Sequence, residues 1–123
     1  MWKTLGAFMR KAGLDPVRIE NSLELGTPDV NYTGGWLELK FAREWPRRGG
    51  PLKLAHFTPQ QNAWIVRRVH AGGVVAVVLK VGKEWYALPG GPVTQKFYED
   101  GLLRCEAEAY AVQGPAGVVR RVC

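Results

Sequence analysis

Gly26-Thr27-Pro28-Asp29-Val30-Asn31-Tyr32-Thr33-Gly34-Gly35-Trp36-Leu37-Glu38-Leu39-Lys40-Phe41 consists of two short runs of alternating polar and apolar residues around a Gly-Gly pair. Alternation with period two is the pattern of a half-buried strand, and glycine supplies the positive backbone angles of a tight turn. The stretch therefore predicts a β-hairpin with Gly34 and Gly35 as its loop. That register pairs Thr33 with Trp36, Asn31 with Glu38 and Asp29 with Lys40. Successive side chains point to opposite faces, so Asp29, Asn31, Glu38 and Lys40 share one face and Val30, Tyr32, Leu37, Leu39 and Phe41 the other. The apolar face is a candidate core, and the polar face is a candidate site.

On the polar face Asp29 and Glu38 become diagonal neighbours about 7–8 Å apart at the backbone. Both then reach one cation, whose oxygen ligands lie about 2.0–2.1 Å away if it is magnesium. Lys40 sits beside them. Two acids and a lysine on an apolar hairpin are costly to hold together unless a metal ion and an anionic ligand complete the cluster. The plain alternative is a solvated strand face of mixed charge.

Pro28-Asp29, eight intervening residues, then Glu38-Leu39-Lys40 resembles the PD-(D/E)xK signature of a nuclease superfamily that includes restriction enzymes and Holliday-junction resolvases. The flanking residues narrow the likeness. Gly26-Thr27-Pro28-Asp29-Val30, Trp36-Leu37-Glu38-Leu39-Lys40 and Phe57-Thr58-Pro59-Gln60-Gln61-Asn62-Ala63-Trp64-Ile65 follow the order and spacing of the virus-type replication-repair (VRR) nuclease branch. The resemblance covers about residues 17 to 80. It implies Asp29, Glu38, Lys40 and Gln61 as catalytic residues. It further implies a site for Mg²⁺ or Mn²⁺ held by Asp29, Glu38, the backbone carbonyl of Leu39 and an upstream acid. Glu20 is the best-placed upstream acid because no glutamate precedes it, with Glu24 in reserve. Many relatives carry that acid on the first helix, which here has none, and Glu20 also reads simply as an edge-strand carboxylate paired with Arg18 or solvent.

Composition frames these readings. The chain has 123 residues, 46% of them hydrophobic, including five Trp, which suits one compact domain with a real core. Seventeen Lys and Arg against eleven acids give a net charge of +6, which fits a polyanionic partner such as nucleic acid. The two cysteines, Cys105 and Cys123, indicate neither a disulfide framework nor a cysteine-rich zinc site. The N-terminus lacks the apolar run of a signal peptide, and no stretch approaches the roughly 18 apolar residues of a membrane helix. A soluble, intracellular protein is expected, in the cytoplasm of a bacterial host if the chain is phage-encoded.

Trp2 to Ala12 places Trp2, Leu5, Phe8 and Met9 at helical spacing, with Gly13 as a stop, and Val17 to Glu20 alternates as a strand. Ala42 to His56 combines Pro46, Pro51 and Gly49-Gly50 with Arg43, Arg47, Arg48 and Lys53. It reads as an irregular basic loop suited to DNA phosphates, with Trp45 either stacking on a base or packing on the domain. His56 and His70 lack ligand spacing and read as structural or surface residues. Thr58-Pro59-Gln60-Gln61 opens a helix with Thr58 as N-cap and Gln61 completing a capping box. That helix is expected to run to about Ala71. For Gln61, capping and an active-site role exclude each other in a single side-chain conformation. Arg67 and Arg68 add DNA-binding surface. Val74 to Leu79 is a β-branched run suited to a central strand buried on both faces. Glu84 to Leu88 reads as a further strand, and a short helix through Phe97 to Leu103 follows. Tyr110 to Val112 and Val118-Val119 read as strands, an oligomer contact or a tail that orders on DNA.

The expected architecture is a single-domain α/β, restriction-endonuclease-like sandwich, its mixed central sheet flanked by helices in the order α-β-β-β-α-β-β-α. Its core spans about residues 17–88, with residues 89–123 as a C-terminal extension. The expected function is metal-dependent, structure-selective DNA endonuclease, with Holliday-junction resolution first. The alternatives are a flap or nicking repair nuclease, or a non-catalytic nucleic-acid-binding module. A homodimer is expected because a four-way junction needs two related incisions. Trp2, Phe8, Trp85, Tyr86, Phe97 and Tyr110 offer apolar groups for its interface.

Overall fold

The computed structural model describes residues 1–20 and 23–123. Helix α1 (Trp2–Lys11) leads into a short strand β1 (Val17–Arg18), the hairpin β2 (Val30–Tyr32) and β3 (Gly35–Ala42), and helix α2 (Pro59–His70). Strands β4 (Val75–Val81) and β5 (Glu84–Pro89), helix α3 (Pro92–Asp100) and the one-turn α4 (Arg104–Ala107) follow. The chain ends with a 3₁₀ turn (Glu108–Tyr110), β6 (Ala111–Val112) and helix α5 (Gly114–Val122). Among the described residues the strands form one mixed sheet in sequence order, β1 to β6. Its neighbours are antiparallel except β3 and β4, which run parallel because α2 carries the chain back to the starting end of the sheet.

Each face of the sheet is covered. Val77, Leu79 and Val81 of β4 and Tyr86 and Leu88 of β5 pack under α2 and α3 with Trp64, Ile65 and Phe97. Leu37, Ala76, Val78 and Trp85 pack under α1 and α5 with Leu5, Met9, Val118 and Val119. Val75 to Leu79 is buried throughout, which is why that strand reads as an unbroken apolar run. Trp85, Tyr86 and Phe97 complete these cores and Trp2 and Tyr110 pack against them, so of the six apolar residues expected to spare for an interface only Phe8, 42% exposed, is free.

The hairpin differs from expectation in register. Tyr32 pairs with Gly35, Asn31 with Trp36 and Val30 with Leu37, so the loop is Thr33-Gly34, and neither loop residue takes a positive φ. Gly35 is required for another reason. Its φ is +154°, and a Cβ there would lie 2.3 Å from the Val74 carbonyl oxygen, the same carbonyl that accepts the Trp36 amide at 3.0 Å. The slip is two residues on the partner strand, so every side chain keeps its expected face.

The polar face is not solvated. Glu38 and Lys40 point into the core under α2 and are 1% and 2% exposed. Beyond β5, Val118 and Val119 lie in helix α5, where Val118, Val119 and Val122 form a helical stripe against α1 while Arg120 and Arg121 face out. The loop from Arg43 to His56 is irregular as expected. It is pinned by the Leu52–Leu102 bridge and by Trp45, whose ring packs edge-on against Tyr86 at 5.7 Å. Trp45 is therefore a core residue and not a stacking platform.

Candidate active site

Strand β3 presents Glu38 and Lys40 two residues apart on one face, beside Val77 and Leu79 of the parallel neighbour. One step beyond the last β2–β3 pair, Asp29 falls opposite Glu38, closer than the diagonal placement expected from the sequence. Their carboxyls are near enough to share a hydrogen bond. The Leu39 amide donates to Asp29 Oδ2 at 2.8 Å. Arg18, reaching across from β1, places Nη1 3.1 Å from Asp29 Oδ1 and 3.0 Å from the Asp29 carbonyl oxygen.

Lys40 Nζ donates to the His56 carbonyl at 2.9 Å and to Gln61 Oε1 at 2.7 Å, and it lies 4.9 Å from the centre of the Phe57 ring. Gln61 Oε1 also accepts the Thr58 amide at 3.0 Å, while the Gln61 amide donates to Thr58 Oγ1 at 3.2 Å. One conformation of Gln61 thus closes the capping box and holds Lys40. Capping therefore does not keep Gln61 from reaching Lys40, because a carboxamide oxygen has two lone pairs and accepts both donors.

Burial governs the protonation states. It pushes the Glu38 carboxyl up to about 9, with the hydrogen bond and charge of Asp29 adding to the rise and Lys40 and Arg18 opposing it. Burial acts in the same direction on Asp29. There the hydrogen bonds from Glu38, the Leu39 amide and Arg18, together with the Arg18 charge, outweigh it and hold the carboxyl below its ordinary value. Lys40 is lowered by burial against the pull of Glu38 and Asp29. In the metal-free protein near neutral pH, a protonated Glu38 therefore faces an ionised Asp29.

One Glu38 oxygen, Oε2, is buried with no hydrogen-bond partner. An orphaned carboxyl oxygen beside a second carboxylate is a donor set of hard oxygens, the kind magnesium and manganese favour, so the residues present fit such an ion. The upstream acid is not assembled with them. Glu20 is exposed, and Glu24 pairs with Arg67 on the surface. Among the described residues no group of three or more His, Cys, Asp or Glu is close enough to hold a metal. The cation Arg18 is what meets Asp29 from β1.

The residues expected on the DNA surface divide. Arg43, Arg48 and Lys53 are exposed with no acidic partner among the described residues, whereas Arg47 pairs with Glu44 and Arg67 with Glu24. Arg68 lies over the Trp64 ring at 4.5 Å and the Trp36 ring at 5.7 Å, buttressing the aromatic pair. Sequence reasoning missed two site residues. Arg18 was legible as a polar strand residue, but it was matched to Glu20. His56 acts through its backbone carbonyl, which no side-chain pattern reports.

The order of elements, the mixed sheet and the helices on both faces define a resolvase and restriction-endonuclease-like fold. Among solved structures the chain is similar to that of Hjc, a Holliday junction resolvase from the archaeal hyperthermophile Archaeoglobus fulgidus, with a TM-score of 0.60 and 21% sequence identity. The match covers 98% of this chain and 97% of that one. At this identity the likeness is one of fold. No protein-family model and no curated protein matches the sequence.

Proposed function

We propose that this protein is a metal-dependent endonuclease that hydrolyses phosphodiester bonds in branched DNA, with four-way junctions as the first substrate to try. The observation that carries the reading is the constellation of buried Glu38 and Lys40 with half-buried Asp29, in which an orphaned carboxyl oxygen and a buried ammonium converge on one face of β3. The fold shared with a Holliday junction resolvase and the net charge of +6 support it. The VRR branch rests on the quoted motif residues.

In this reading Asp29 and Glu38 hold one or two Mg²⁺ or Mn²⁺ ions, with the Leu39 carbonyl as a further ligand. A bound ion of this kind supplies an activated water and neutralises charge on the leaving oxygen. The protein's own residues do the rest. Lys40, fixed by Gln61 and the His56 carbonyl, keeps its remaining donor capacity for a phosphoryl oxygen and stabilises negative charge as it develops there. Gln61 acts as a positioning residue by aiming that ammonium. Arg18 neutralises Asp29 and fixes its carboxylate. Arg43, Arg48 and Lys53 contact phosphates without reading bases.

The test is incubation of purified protein with labelled junction, flap, nicked and linear DNA in Mn²⁺. Cleavage of a branched substrate is expected, lost in Asp29→Asn and Glu38→Ala variants that keep the fold. An Asp29→Asn protein as active as wild type would sink the assignment. Binding of every DNA without cleavage would leave a non-catalytic nucleic-acid-binding module of the same fold.

A further inference from the structure

A second basic surface lies away from the candidate active site. Arg10 and Lys11 occupy the last turn of α1, and Arg120 and Arg121 the last turn of α5. All four are exposed, and none has an acidic partner among the described residues. Neither helix contains an acidic residue. The two helices pack on each other, and their C-terminal ends are held at the same place. The Thr33 amide donates to the Leu14 carbonyl at 3.0 Å, and the Tyr32 hydroxyl donates to the Val122 carbonyl at 3.4 Å. Both helix ends are therefore tied to the β2–β3 turn, which gathers four cations at one end of the sheet. Asp15 carries the acidic side chain nearest them in sequence.

Position separates this cluster from the loop of Arg43, Arg48 and Lys53. That loop follows the far end of β3, an eight-residue strand spanning roughly 26 Å. The site side chains lie on the α2 face of the sheet, whereas α1 and α5 cover the opposite face. A straight duplex seated at the site reaches the opposite layer only by bending, which costs elastic energy. A branched molecule already has another arm to offer.

Resting on the reading of this protein as a nuclease of branched DNA, we propose that Arg10, Lys11, Arg120 and Arg121 form a second phosphate-contacting surface. It receives an arm of the substrate other than the one being cut. Charge complementarity selects the occupant, since four exposed cations without acidic partners among the described residues suit a polyanion's backbone. The competing explanation is local: cations in the last turn of a helix are favourable because they complement the dipole, whatever binds outside.

The experiment measures the salt dependence of binding in EDTA, where no cleavage occurs, on an immobile four-way junction and on a linear duplex of equal arm length. Wild type is compared with the variant carrying Arg10→Ala, Lys11→Ala, Arg120→Ala and Arg121→Ala, its fold checked by circular dichroism. The paired variants R10A/K11A and R120A/R121A are the fallback if the fourfold variant does not fold. The proposal predicts a log–log slope on the junction reduced by up to about 3.6 for each bound protomer, four contacts at roughly 0.9 each, with the duplex slope little changed. The loop variant R43A/R48A/K53A is expected to reduce both slopes. Unchanged slopes in the fourfold variant would show that these cations serve only the helix ends, and an equal fall on both DNAs would show one continuous footprint. Either overturns the second-arm surface while leaving the nuclease reading intact. A wild type that binds neither DNA overturns both.

Discussion

Replacing Gln61 with alanine tests the central feature of the site without reference to any activity. Gln61 Oε1 accepts from Lys40 Nζ at 2.7 Å and from the Thr58 amide at 3.0 Å, so the truncation removes two interactions of different strength. Loss of half a capping box costs about 1 kcal/mol. Loss of an acceptor for a buried ammonium costs about 1.5–3 kcal/mol, because Lys40, 2% exposed, keeps only the His56 carbonyl as an acceptor. The expected total is about 2.5–4 kcal/mol. In a Lys40→Met background only the cap remains to be lost, so the same Gln61→Ala change should cost about 1 kcal/mol. A double-mutant cycle by urea denaturation should therefore return a coupling of about 1.5–3 kcal/mol. Costs that simply add, with coupling below about 0.5 kcal/mol, would refute the Lys40–Gln61 bond as the element that positions the lysine.

Other consequences can be measured on the same protein. Because Glu38 is raised to about 9 from an ordinary 4.5, its contribution to metal-free stability is fully present below pH 4.5 and is lost as pH rises through 9. Unfolding free energies from urea denaturation in EDTA should fall across that window, by at most about 1.4 kcal/mol per pH unit, and Glu38→Gln should flatten the profile. Gly35→Ala, which puts a Cβ 2.3 Å from the Val74 carbonyl oxygen at φ +154°, should cost at least about 2 kcal/mol; Gly49→Ala, at φ +77° in open space, should cost about 1 kcal/mol. Light scattering at micromolar concentration should give twice the 13.7 kDa chain mass, since paired incision of a junction needs two sites. A clean monomer with and without junction DNA would favour a flap or nicking activity instead.

The elements were legible wherever a local rule and tertiary packing agree. Thr58-Pro59-Gln60-Gln61 specifies a cap by its own chemistry, and the apolar run from Val75 to Leu79 can satisfy its backbone and side chains together only in the middle of a covered sheet. The hairpin's existence and its two faces were readable for the same reason. Its register was not, because Gly34-Gly35 reads as a turn by glycine's backbone freedom alone, whereas Gly35 is present for the approach of Val74. Helix α5 escaped because two adjacent β-branched residues look like a strand until Val122 supplies the next turn of the stripe. Within the site, Asp29, Glu38, Lys40 and Gln61 were visible as side chains in a pattern. The contributions of Arg18 and the His56 carbonyl depend on folding distant segments together, and no spacing encodes them.

The depth at which the cluster sits gives its arrangement a physical logic. A charged lysine and two carboxyls at the margin of an apolar core are expensive, and the metal-free protein limits that expense by three means. Glu38 is held protonated, Arg18 neutralises Asp29, and a glutamine and a main-chain carbonyl satisfy Lys40. Two of these means leave a functional group incompletely used: a buried Glu38 oxygen without a partner, and a lysine whose two acceptors leave a third donor open. A cation that displaces the Glu38 proton and a phosphate that takes up the free lysine donor would complete both at once. On the proposed reading, the energy the fold spends in keeping these groups out of water becomes available as preorganisation toward an anionic ligand.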